Sequence, residues 1–337
     1  MMKLVNIHGA NDVRVDDVPL PEVGSGDVLL KIDACGICGS DLTFAKYGMQ
    51  REGGKPWPLG HEAAGTVVKV GNAVTDIPVG LRAVINPMGA YDNIIGNGGS
   101  EGAFGDFLLL RNVKRDTHLL PISDAMPAAR AALVEPLSVA LHGVNQAQLR
   151  GDEKVVVYGA GPIGLGAVFW LSRRGIGNIV AVDLSDDRLA RARLLGATHT
   201  INPGREDLKG ALVAIHGEAA PMFGASTVGT DIFMDMAGAP ALLEQTLAFG
   251  KYRARIVLTA VYPSPVQLDL QSLLIREISL IPAVGYPTEL PEVLATLEAV
   301  DEAELAPYVS HSFAFANFED AWKTAKLSTS AKVMVTF

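Results

Sequence analysis

The chain has 337 residues, of which 49% are hydrophobic and 19% are charged, and its formal net charge is −9. This length and composition predict a globular protein with two domains, and the negative charge argues against nucleic acid or an anionic membrane as partner. Two cysteines leave no disulfide framework for a secreted fold. No apolar run reaches membrane-spanning length and the N-terminus is too polar for a signal peptide, so we expect a cytoplasmic protein.

The first part of the chain predicts short strands separated by turns. Residues 27–35 alternate between apolar and polar side chains, as a half-buried strand does. Residues 62–71 and 79–87 are further strand-like runs, each bounded by Gly or Pro. The Gly-rich stretch 86–106 has no periodicity, which predicts a loop or lobe.

After about residue 125 the pattern changes to helices alternating with strongly apolar strands. A helical segment interrupted by Pro136 comes first, followed by a β-α-β unit. Its predicted elements are a strand at 155–159, a helix at 162–174 and a strand at 178–183, and the series continues with a helix at 186–196 and strands at 231–237 and 255–261. Near-continuous apolar strands alternating with helices indicate a buried parallel sheet.

Beyond about residue 282 the chain returns to mixed short elements. The sequence therefore predicts an α/β protein in which a parallel-sheet domain is inserted between two parts of a strand-rich domain. We predict the strand-rich domain over 1–145 and 283–337, and the parallel-sheet domain over 146–282.

A dinucleotide site is predicted where the first parallel strand meets its helix. Gly159, Gly161 and Gly164 form a G-x-G-x-x-G motif at this junction. In such motifs the glycines allow a tight turn, close approach of a pyrophosphate and close packing of helix on strand, while the helix N-terminus supplies donors. Pro162 and Ile163 lie between the second and third glycine and belong to the same predicted site.

The residues around the next strands refine this prediction. Asp183 ends the second strand and is the expected partner of the adenosine ribose hydroxyls, which favours NAD over NADP because an acid repels a 2′-phosphate. Arg188 is a candidate for stacking on the adenine or pairing with Asp183, although a solvated helix residue is the alternative. Ala237 and Val261 end the following strands and are further candidates for cofactor contact.

Both cysteines of the chain, Cys35 and Cys38, lie in one four-residue window, and the segment Gly60-His61-Glu62 follows. A redox pair, half of a structural zinc site and an open catalytic zinc site are the alternatives. For a structural zinc site, the chain has no two further ligands of the same kind nearby. For a redox pair, we expect a helix after the motif, and no helix pattern follows these cysteines. A catalytic zinc needs three protein ligands and a vacant position.

These residues resemble a known family in segments spread over nearly the whole chain. The run GHEAAGTVVKVGNAV (60–74) is similar to the zinc signature of medium-chain alcohol dehydrogenases, and GICGSD, EPLSVALH, GAGPIG and SHSFAFANFEDAW occur in the family's order. The resemblance implies a GroES-like catalytic domain, a Rossmann domain and zinc-dependent, NAD-linked oxidation of an alcohol to a ketone. The branch it suggests includes sorbitol, threonine and butanediol dehydrogenases.

The resemblance also implies roles for individual residues. The expected metal ligands are drawn from Cys38, His61, Glu62 and Glu135, and whether Glu62 or Glu135 binds directly stays open. Asp41 is implied as the carboxylate that orients His61. Ser40 is implied as the hydroxyl through which the substrate proton leaves, and Thr43 stands where many relatives continue this relay with a histidine.

Two departures from the family affect the metal count and the substrate. Relatives with a structural zinc have four cysteines in the lobe, whereas residues 86–106 have none, so we expect one catalytic zinc per chain. Polyol-oxidising relatives place a Tyr and an Arg where this chain has Phe44 and Gly285. We therefore expect a less polar secondary alcohol or diol, with Phe44, Trp57 and Tyr286 as pocket candidates.

Three alternatives remain at this point. The chain is a polyol or L-threonine dehydrogenase of the same family, a zinc-free reductase, or a non-catalytic NAD-binding protein whose metal is structural or absent. Intact Cys38, His61, Ser40 and Asp41 argue against the last two. We expect a homodimer or homotetramer, with an edge near 255–261 and its successor strand as the dimer contact.

Overall fold

The computed structural model describes residues 1–89, 92, 94–220, 226–262 and 264–337. Three residues of the Gly-rich lobe (90, 91 and 93) therefore lie outside the described residues. The described chain forms a strand-rich part and a parallel-sheet part. Each part has a hydrophobic cluster of its own, and a third cluster contains residues of both parts. No helix among the described residues combines the length and the apolar character needed to cross a bilayer.

The strand-rich part contains a three-stranded and a seven-stranded sheet. The smaller sheet has the order β2-β1-β4, with β1 Met2–Gly9, β2 Asp12–Val18 and β4 Trp57–Pro58. The larger sheet has the order β17-β18-β3-β5-β6-β8, with β7 also paired to β3. Its strands are β3 Val28–Ile37, β5 Glu62–Val70, β6 Arg82–Ile85, β7 Phe107–Leu110, β8 Leu119–Pro121, β17 Val309–Ala314 and β18 Lys332–Thr336. The last two strands show that the chain returns to this sheet after the parallel-sheet part.

The parallel-sheet part has six strands in the order β11-β10-β9-β14-β15-β16. They are β9 Lys154–Tyr158, β10 Asn178–Val182, β11 His199–Ile201, β14 Ile232–Asp235, β15 Arg255–Leu258 and β16 Ser279–Pro282. Every neighbouring pair is parallel, so the carboxyl ends of all six strands meet at one edge, where ligands bind in such folds. A short antiparallel pair lies apart from this sheet: β12 Glu218–Ala219 and β13 Thr227–Val228.

Helices cover the parallel sheet and connect the two parts. They are α1 Gly39–Tyr47, α2 Ala128–Ala131, α3 Val134–Gln146, α4 Pro162–Arg173, α5 Asp186–Leu194, α6 Leu208–His216, α7 Pro240–Phe249, α8 Leu270–Arg276, α9 Leu290–Ala299, α10 Glu302–Leu305 and α11 Phe318–Ala325. Helix α3 packs on α4 and contacts β5 and β15, so it belongs to the junction of the two parts. Pro136 lies in the first turn of α3, where its missing N–H breaks no helical bond, and not at a helix break.

The predicted strands and helices are confirmed in type and order, but the prediction that no helix follows the two cysteines is wrong: Cys38 caps α1, whose first turn is stabilised by Asp41 accepting the Cys38 N–H. The strand predicted at 27–35 is β3, and the β-α-β unit is formed by β9, α4 and β10. Strands predicted at 231–237 and 255–261 are shorter than the apolar runs, because each run extends past the sheet into a turn that carries polar contacts. The domain limits that we predicted stay a prediction.

Candidate active site

Three side chains with metal-ligand atoms meet at the end of β3 and the start of β5. The thiol of Cys38, an imidazole nitrogen of His61 and a carboxylate oxygen of Glu62 lie within 4.8 Å of one another. Atoms bound to one tetrahedral zinc ion lie about 3.5 Å apart, because the bonds are about 2.0–2.3 Å long. The three groups thus need only small movements to share one ion, and their chemistry is the nitrogen, sulfur and oxygen set that zinc accepts.

Backbone pairing positions these ligand atoms. Cys38 directly follows β3 and is the N-cap residue of α1, and Glu62 is the first residue of β5. In the sheet, Gly36 of β3 pairs with Glu62. A Cβ atom on Gly36 would lie 2.2 Å from the Glu62 carboxylate, so the absence of a side chain at this position leaves the space for that carboxylate. Cys35, one residue earlier, is fully buried in β3.

Asp41 links the backbone of Cys38 to the ring of His61. One carboxylate oxygen accepts a hydrogen bond from the Cys38 N–H at 2.9 Å, and the other lies 3.5 Å from His61 Nδ1. That distance is too long for an ordinary hydrogen bond, and both atoms are buried without a hydrogen-bond partner among the described residues. Burial lowers the pKa of His61, but Asp41 and the Cys38 thiol raise it more, so that it lies well above its usual value.

The two hydroxyl groups of the predicted proton path differ in their surroundings. Ser40 Oγ is buried and has no hydrogen-bond partner within the described part of the chain, so it is available to a substrate oxygen. Thr43 is exposed, and its hydroxyl donates to the Gly39 carbonyl at 3.0 Å. This internal helix bond occupies the Thr43 proton, which indicates that a relay through Thr43 is weaker than one through a free histidine.

Glu135 approaches the same cluster from the first turn of α3. Its side chain is buried, and burial raises its pKa to about 7, with His61 and Lys332 opposing and Glu62 adding to that rise. The Tyr286 hydroxyl lies beside Glu135, and burial and the negative charge of Glu135 raise the Tyr286 pKa. The structure thus brings Glu135 and Tyr286 to the predicted metal site.

Lys332, which the sequence reasoning missed, ties Glu62 to the last strand. Its ammonium group donates to both carboxylate oxygens of Glu62 at 2.5 Å and to the Ile37 carbonyl at 3.1 Å. Burial lowers the pKa of Lys332, but Glu62 and Cys38 raise it more, so the net direction is upward and the side chain is charged. The available signal was a single charge inside the apolar run AKVMVTF, since a charge in a buried strand requires a partner.

The remaining pocket candidates lie on the strand-rich side. The rings of Phe44 and Trp57 pack at 5.2 Å between centroids with a 48° tilt. Trp57 is buried, and its indole N–H donates to the Gly96 carbonyl at 3.3 Å. Phe44 is half-buried and lies four residues after Ser40, on the same face of α1.

The glycine loop has the conformation that the motif predicts. Gly159 has a φ of +85° and donates its N–H to the Val182 carbonyl at 2.8 Å. A Cβ on Gly164 would lie 1.7 Å from the Gly159 carbonyl oxygen, whereas a Cβ on Gly161 would meet its nearest atom only at 4.0 Å. The Gly161 position is therefore open to a ligand. Gly161 caps α4, with Pro162 at its first position and Ile163 next.

Asp183 and Arg188 flank this loop. The two Asp183 oxygens accept hydrogen bonds from the Ala160 N–H at 2.7 Å and the Ser185 N–H at 2.8 Å. Arg188 Nε donates to the Ser330 carbonyl at 2.7 Å, and its Nη1 is the atom closest to the Gly161 position. Arg188 thus connects α5 to the segment before β18, and its adenine contact stays a prediction.

Ala237 and Val261 lie at the same edge of the sheet. Ala237 follows β14, is exposed, and packs against Gly159. Its N–H and that of Gly238 donate to Asp235 Oδ1 at 2.9 Å each. Val261 follows β15 and is 88% exposed. Both residues therefore border the crevice at the carboxyl ends of the strands, where a cofactor of this fold class binds.

Comparison with known proteins agrees with this arrangement. Residues 24–121 match the family model described as an alcohol dehydrogenase GroES-like domain, and residues 162–299 match the model described as a zinc-binding dehydrogenase. A sorbitol dehydrogenase from Rattus norvegicus is 30% identical over an alignment of 348 positions, gaps included, which covers 98% of this chain and 94% of the relative. The chain belongs to the zinc-dependent medium-chain alcohol dehydrogenase family.

Other members of the family are similar over the same extent. The (R,R)-butanediol dehydrogenase of Bacillus subtilis strain 168 is 30% identical over an alignment of 320 positions, gaps included, which covers 88% of each chain. The crystal structure of 2R,3R-butanediol dehydrogenase from Bacillus subtilis superimposes with a TM-score of 0.86 at 25% identity, covering 100% of both chains. The predicted combination of a GroES-like domain and a Rossmann domain is therefore confirmed, and the chain is an alcohol dehydrogenase by family.

Proposed function

We propose that this alcohol dehydrogenase holds one catalytic zinc ion per chain through Cys38, His61 and Glu62, with Glu135 beside the remaining coordination position. The observation that carries the proposal is the convergence of these three ligand atoms within 4.8 Å. The unpaired buried hydroxyl of Ser40 supports a substrate site beside it, because buried polar groups are normally paired. Glu135 is buried beside these ligands and interacts with both His61 and Glu62.

When bound, zinc would act as a Lewis acid that polarises the substrate hydroxyl. The chain's own residues supply the other requirements. Ser40 would relay the alcohol's hydroxyl proton, since its oxygen would accept that proton while its own proton passes to water, and NAD would accept the hydride from the alcohol carbon when bound. Asp41 Oδ1 lies 3.5 Å from His61 Nδ1, so a small movement of the ring would let Asp41 accept that N–H and orient the imidazole. Lys332 holds Glu62 in place by donating to both of its carboxylate oxygens.

We further propose NAD as the cofactor. Asp183 is fixed by two backbone N–H groups, and a carboxylate offers about four acceptor positions, so two remain for the ribose hydroxyls. The same carboxylate opposes the 2′-phosphate of NADP. The nicotinamide ring would extend toward the metal cluster past Ala237 and Val261, which border the crevice.

The proposed substrate is a secondary alcohol or a diol. The named relatives oxidise butanediol or sorbitol, whereas this chain packs Phe44 against Trp57 and has Gly285 before Tyr286. An apolar wall and a missing arginine favour a substrate with fewer hydroxyl groups than a sugar alcohol. A polyol or threonine is the second candidate, supported by the polar Glu135–Tyr286 pair beside the metal site.

No structural zinc is part of the proposal, because the chain has no cysteine other than Cys35 and Cys38.

The experiment that tests the proposed function measures NADH formation from secondary alcohols, diols, polyols and threonine, with zinc counted on the same sample. We expect about one zinc per chain and turnover of an apolar secondary alcohol or diol. Turnover of polyols alone would contradict the substrate class, and absence of zinc with no NADH from any alcohol would contradict the metal site.

For assembly, we propose a homodimer formed at the free edge of the parallel sheet. Strand β16 has β15 as its single neighbour in that sheet, and large apolar side chains around it are exposed, among them Leu270, Leu274 and Val284 at 70–88%. An exposed strand edge with such a patch is typical of an association surface. Light scattering of wild type and Leu274→Glu would test this, with a monomeric wild type as the contradicting result.

A further inference from the structure

Tyr308 is a buried tyrosine next to the metal-side strands that none of the roles above uses. It lies immediately before β17, whose first residue, Val309, pairs in register with Lys332 of β18. Arg191 of α5 donates to the Pro307 carbonyl at 2.9 Å and to the Val309 carbonyl at 3.3 Å. The backbone on both sides of Tyr308 is therefore held by the helix that follows the second parallel strand.

The ring of Tyr308 is fully buried at the junction of the two parts of the molecule. It packs near Gly166 of α4, where an added Cβ would lie 3.6 Å from the ring and 2.7 Å from Ala140 of α3. Since α3 carries Glu135, the phenol sits beside the helix that supplies one of the metal-site carboxylates. Tight packing on these helices leaves the ring little freedom to turn its hydroxyl elsewhere.

The Tyr308 hydroxyl is buried and has no hydrogen-bond partner within the residues described. Burial raises its pKa well above the ordinary value, and the negative charges of Glu62, Glu135 and Cys38 raise it further, in that order. The hydroxyl is therefore a neutral donor near three metal-site groups. The residue next to it, Val309, pairs with Lys332, which binds Glu62, so Glu62 is the carboxylate that this pairing brings into the neighbourhood of Tyr308. Three of the other unpaired atoms, on Ser40, Asp41 and His61, belong to the same site.

From this geometry we propose that Tyr308 is a positioning residue of the metal centre, whose hydroxyl donates to the Glu62 carboxylate, directly or through one water, when zinc is bound. Lys332 already holds Glu62 from one side, and a carboxylate accepts about four hydrogen bonds. Tyr308 would be the second donor that keeps this carboxylate oriented beside the ion. This inference rests on the zinc site of the proposed function.

The test compares Tyr308→Phe with Tyr158→Phe. Tyr158 is also a fully buried tyrosine, but its hydroxyl bonds to Thr246 at 3.0 Å in the parallel-sheet part. Apparent zinc affinity is measured by chelator competition, and Tm is measured for metal-free and zinc-loaded protein. For Tyr308→Phe we expect zinc affinity about ten-fold lower, because one hydrogen bond to a charged group is lost. The metal-free variant should melt no lower than metal-free wild type, because it loses only an unpaired hydroxyl.

Tyr158→Phe should lower Tm equally in both forms and leave zinc affinity unchanged. Equal zinc affinity of Tyr308→Phe and wild type, with the same change in Tm in both forms, would overturn the inference while the zinc site stands. A wild type that binds no zinc would overturn the proposed function itself. A crystal structure of zinc-loaded wild type gives a second readout, in which the Tyr308 oxygen must lie within hydrogen-bond distance of Glu62 or of a water bound to it.

Discussion

The nucleotide loop (residues 159–164) and the proposed metal site (Cys38, His61 and Glu62) are stabilised by different kinds of contact. At the nucleotide loop, backbone atoms make the decisive contacts: Gly159 donates to Val182, and both oxygens of Asp183 accept backbone N–H groups. At the metal cluster, side chains meet side chains, and the buried atoms of Ser40, Asp41 and His61 lack partners among the described residues. At the first site these polar groups are paired without a ligand, whereas at the second Ser40 Oγ has no partner among the described residues and Asp41 Oδ1 faces His61 Nδ1 at 3.5 Å.

The two sites therefore differ in what stabilises their ligand-binding groups. The nucleotide loop depends on the positive φ of Gly159 and on the close approach of Gly164 to the Gly159 carbonyl, so its preorganisation belongs to the fold. The metal cluster places Glu62, Lys332, Asp41 and His61 in a buried environment, where an uncompensated charge is costly. Removing one metal-site side chain should therefore affect stability and metal binding together, while changes at the loop should separate folding from cofactor binding.

The largest effect is expected from Cys38→Ala, with Cys35→Ala as the matched control. Loss of a ligand thiol removes zinc, and Lewis-acid stabilisation of several kcal/mol corresponds to a rate loss of about a thousand-fold. Cys35 is buried in β3 and does not belong to the group of Cys38, His61 and Glu62. Its variant should therefore keep zinc and most activity. Zinc content and NADH formation of both variants check this. Equal losses in the two variants would contradict the distinction between the cysteines.

Lys332→Met should produce the next largest effect. It leaves the Glu62 carboxylate, fully buried, without its cation, and breaking a buried ion pair from one side costs about 3–5 kcal/mol. Urea unfolding of metal-free protein measures the loss of unfolding free energy. Lys332→Met combined with Glu62→Gln should recover most of that loss, because no charge is then left unpaired. No recovery in the double variant would show that Lys332 acts through packing instead.

Two glycine variants of the loop should separate folding from cofactor binding. Gly164→Ala places a Cβ 1.7 Å from the Gly159 carbonyl oxygen, and such overpacking costs about 1–3 kcal/mol of stability. Gly161→Ala meets no atom closer than 4.0 Å, so it should fold normally and yet weaken NAD binding by obstructing the pyrophosphate. Thermal unfolding and NADH titration check the pair. Normal NADH affinity of folded Gly161→Ala would contradict the predicted site.

Asp183→Asn should have the smallest effect of the series. It keeps the shape of the side chain but removes the charge, so NAD should bind about ten-fold more weakly, as expected for a lost charge-assisted hydrogen bond. NADP should lose less or gain, since the repulsion of its 2′-phosphate is removed. Dissociation constants for both cofactors in wild type and variant check this. A wild type that prefers NADP would contradict the role of Asp183.

The architecture and the nucleotide loop, which is stabilised mainly by backbone contacts, were predictable from the sequence. The glycine spacing and the acid at the end of the second strand predicted β9, α4, β10 and the loop between them, because local conformation alone determines these features. The ligand types at Cys38, His61 and Glu62 were also predictable, through the resemblance of their segments to a family.

The contacts of long sequence separation were not predictable. Lys332 reaches Glu62 across 270 positions, and Tyr308 reaches the same region through the pairing of β17 with β18. Such neighbours depend on which strands share a sheet, and no local pattern in a single sequence specifies that.

The distance along the chain between Glu62 and Lys332 has a consequence for how the protein is made. At about 5–20 residues per second, a ribosome needs roughly a quarter of a minute to a minute to synthesise the 270 positions that separate them. During that interval the nascent strand β5 exists without β18, and Glu62 has no ammonium partner. Assembly of the metal centre is therefore a late event of biogenesis, and zinc delivery is expected to follow translation of the closing strand.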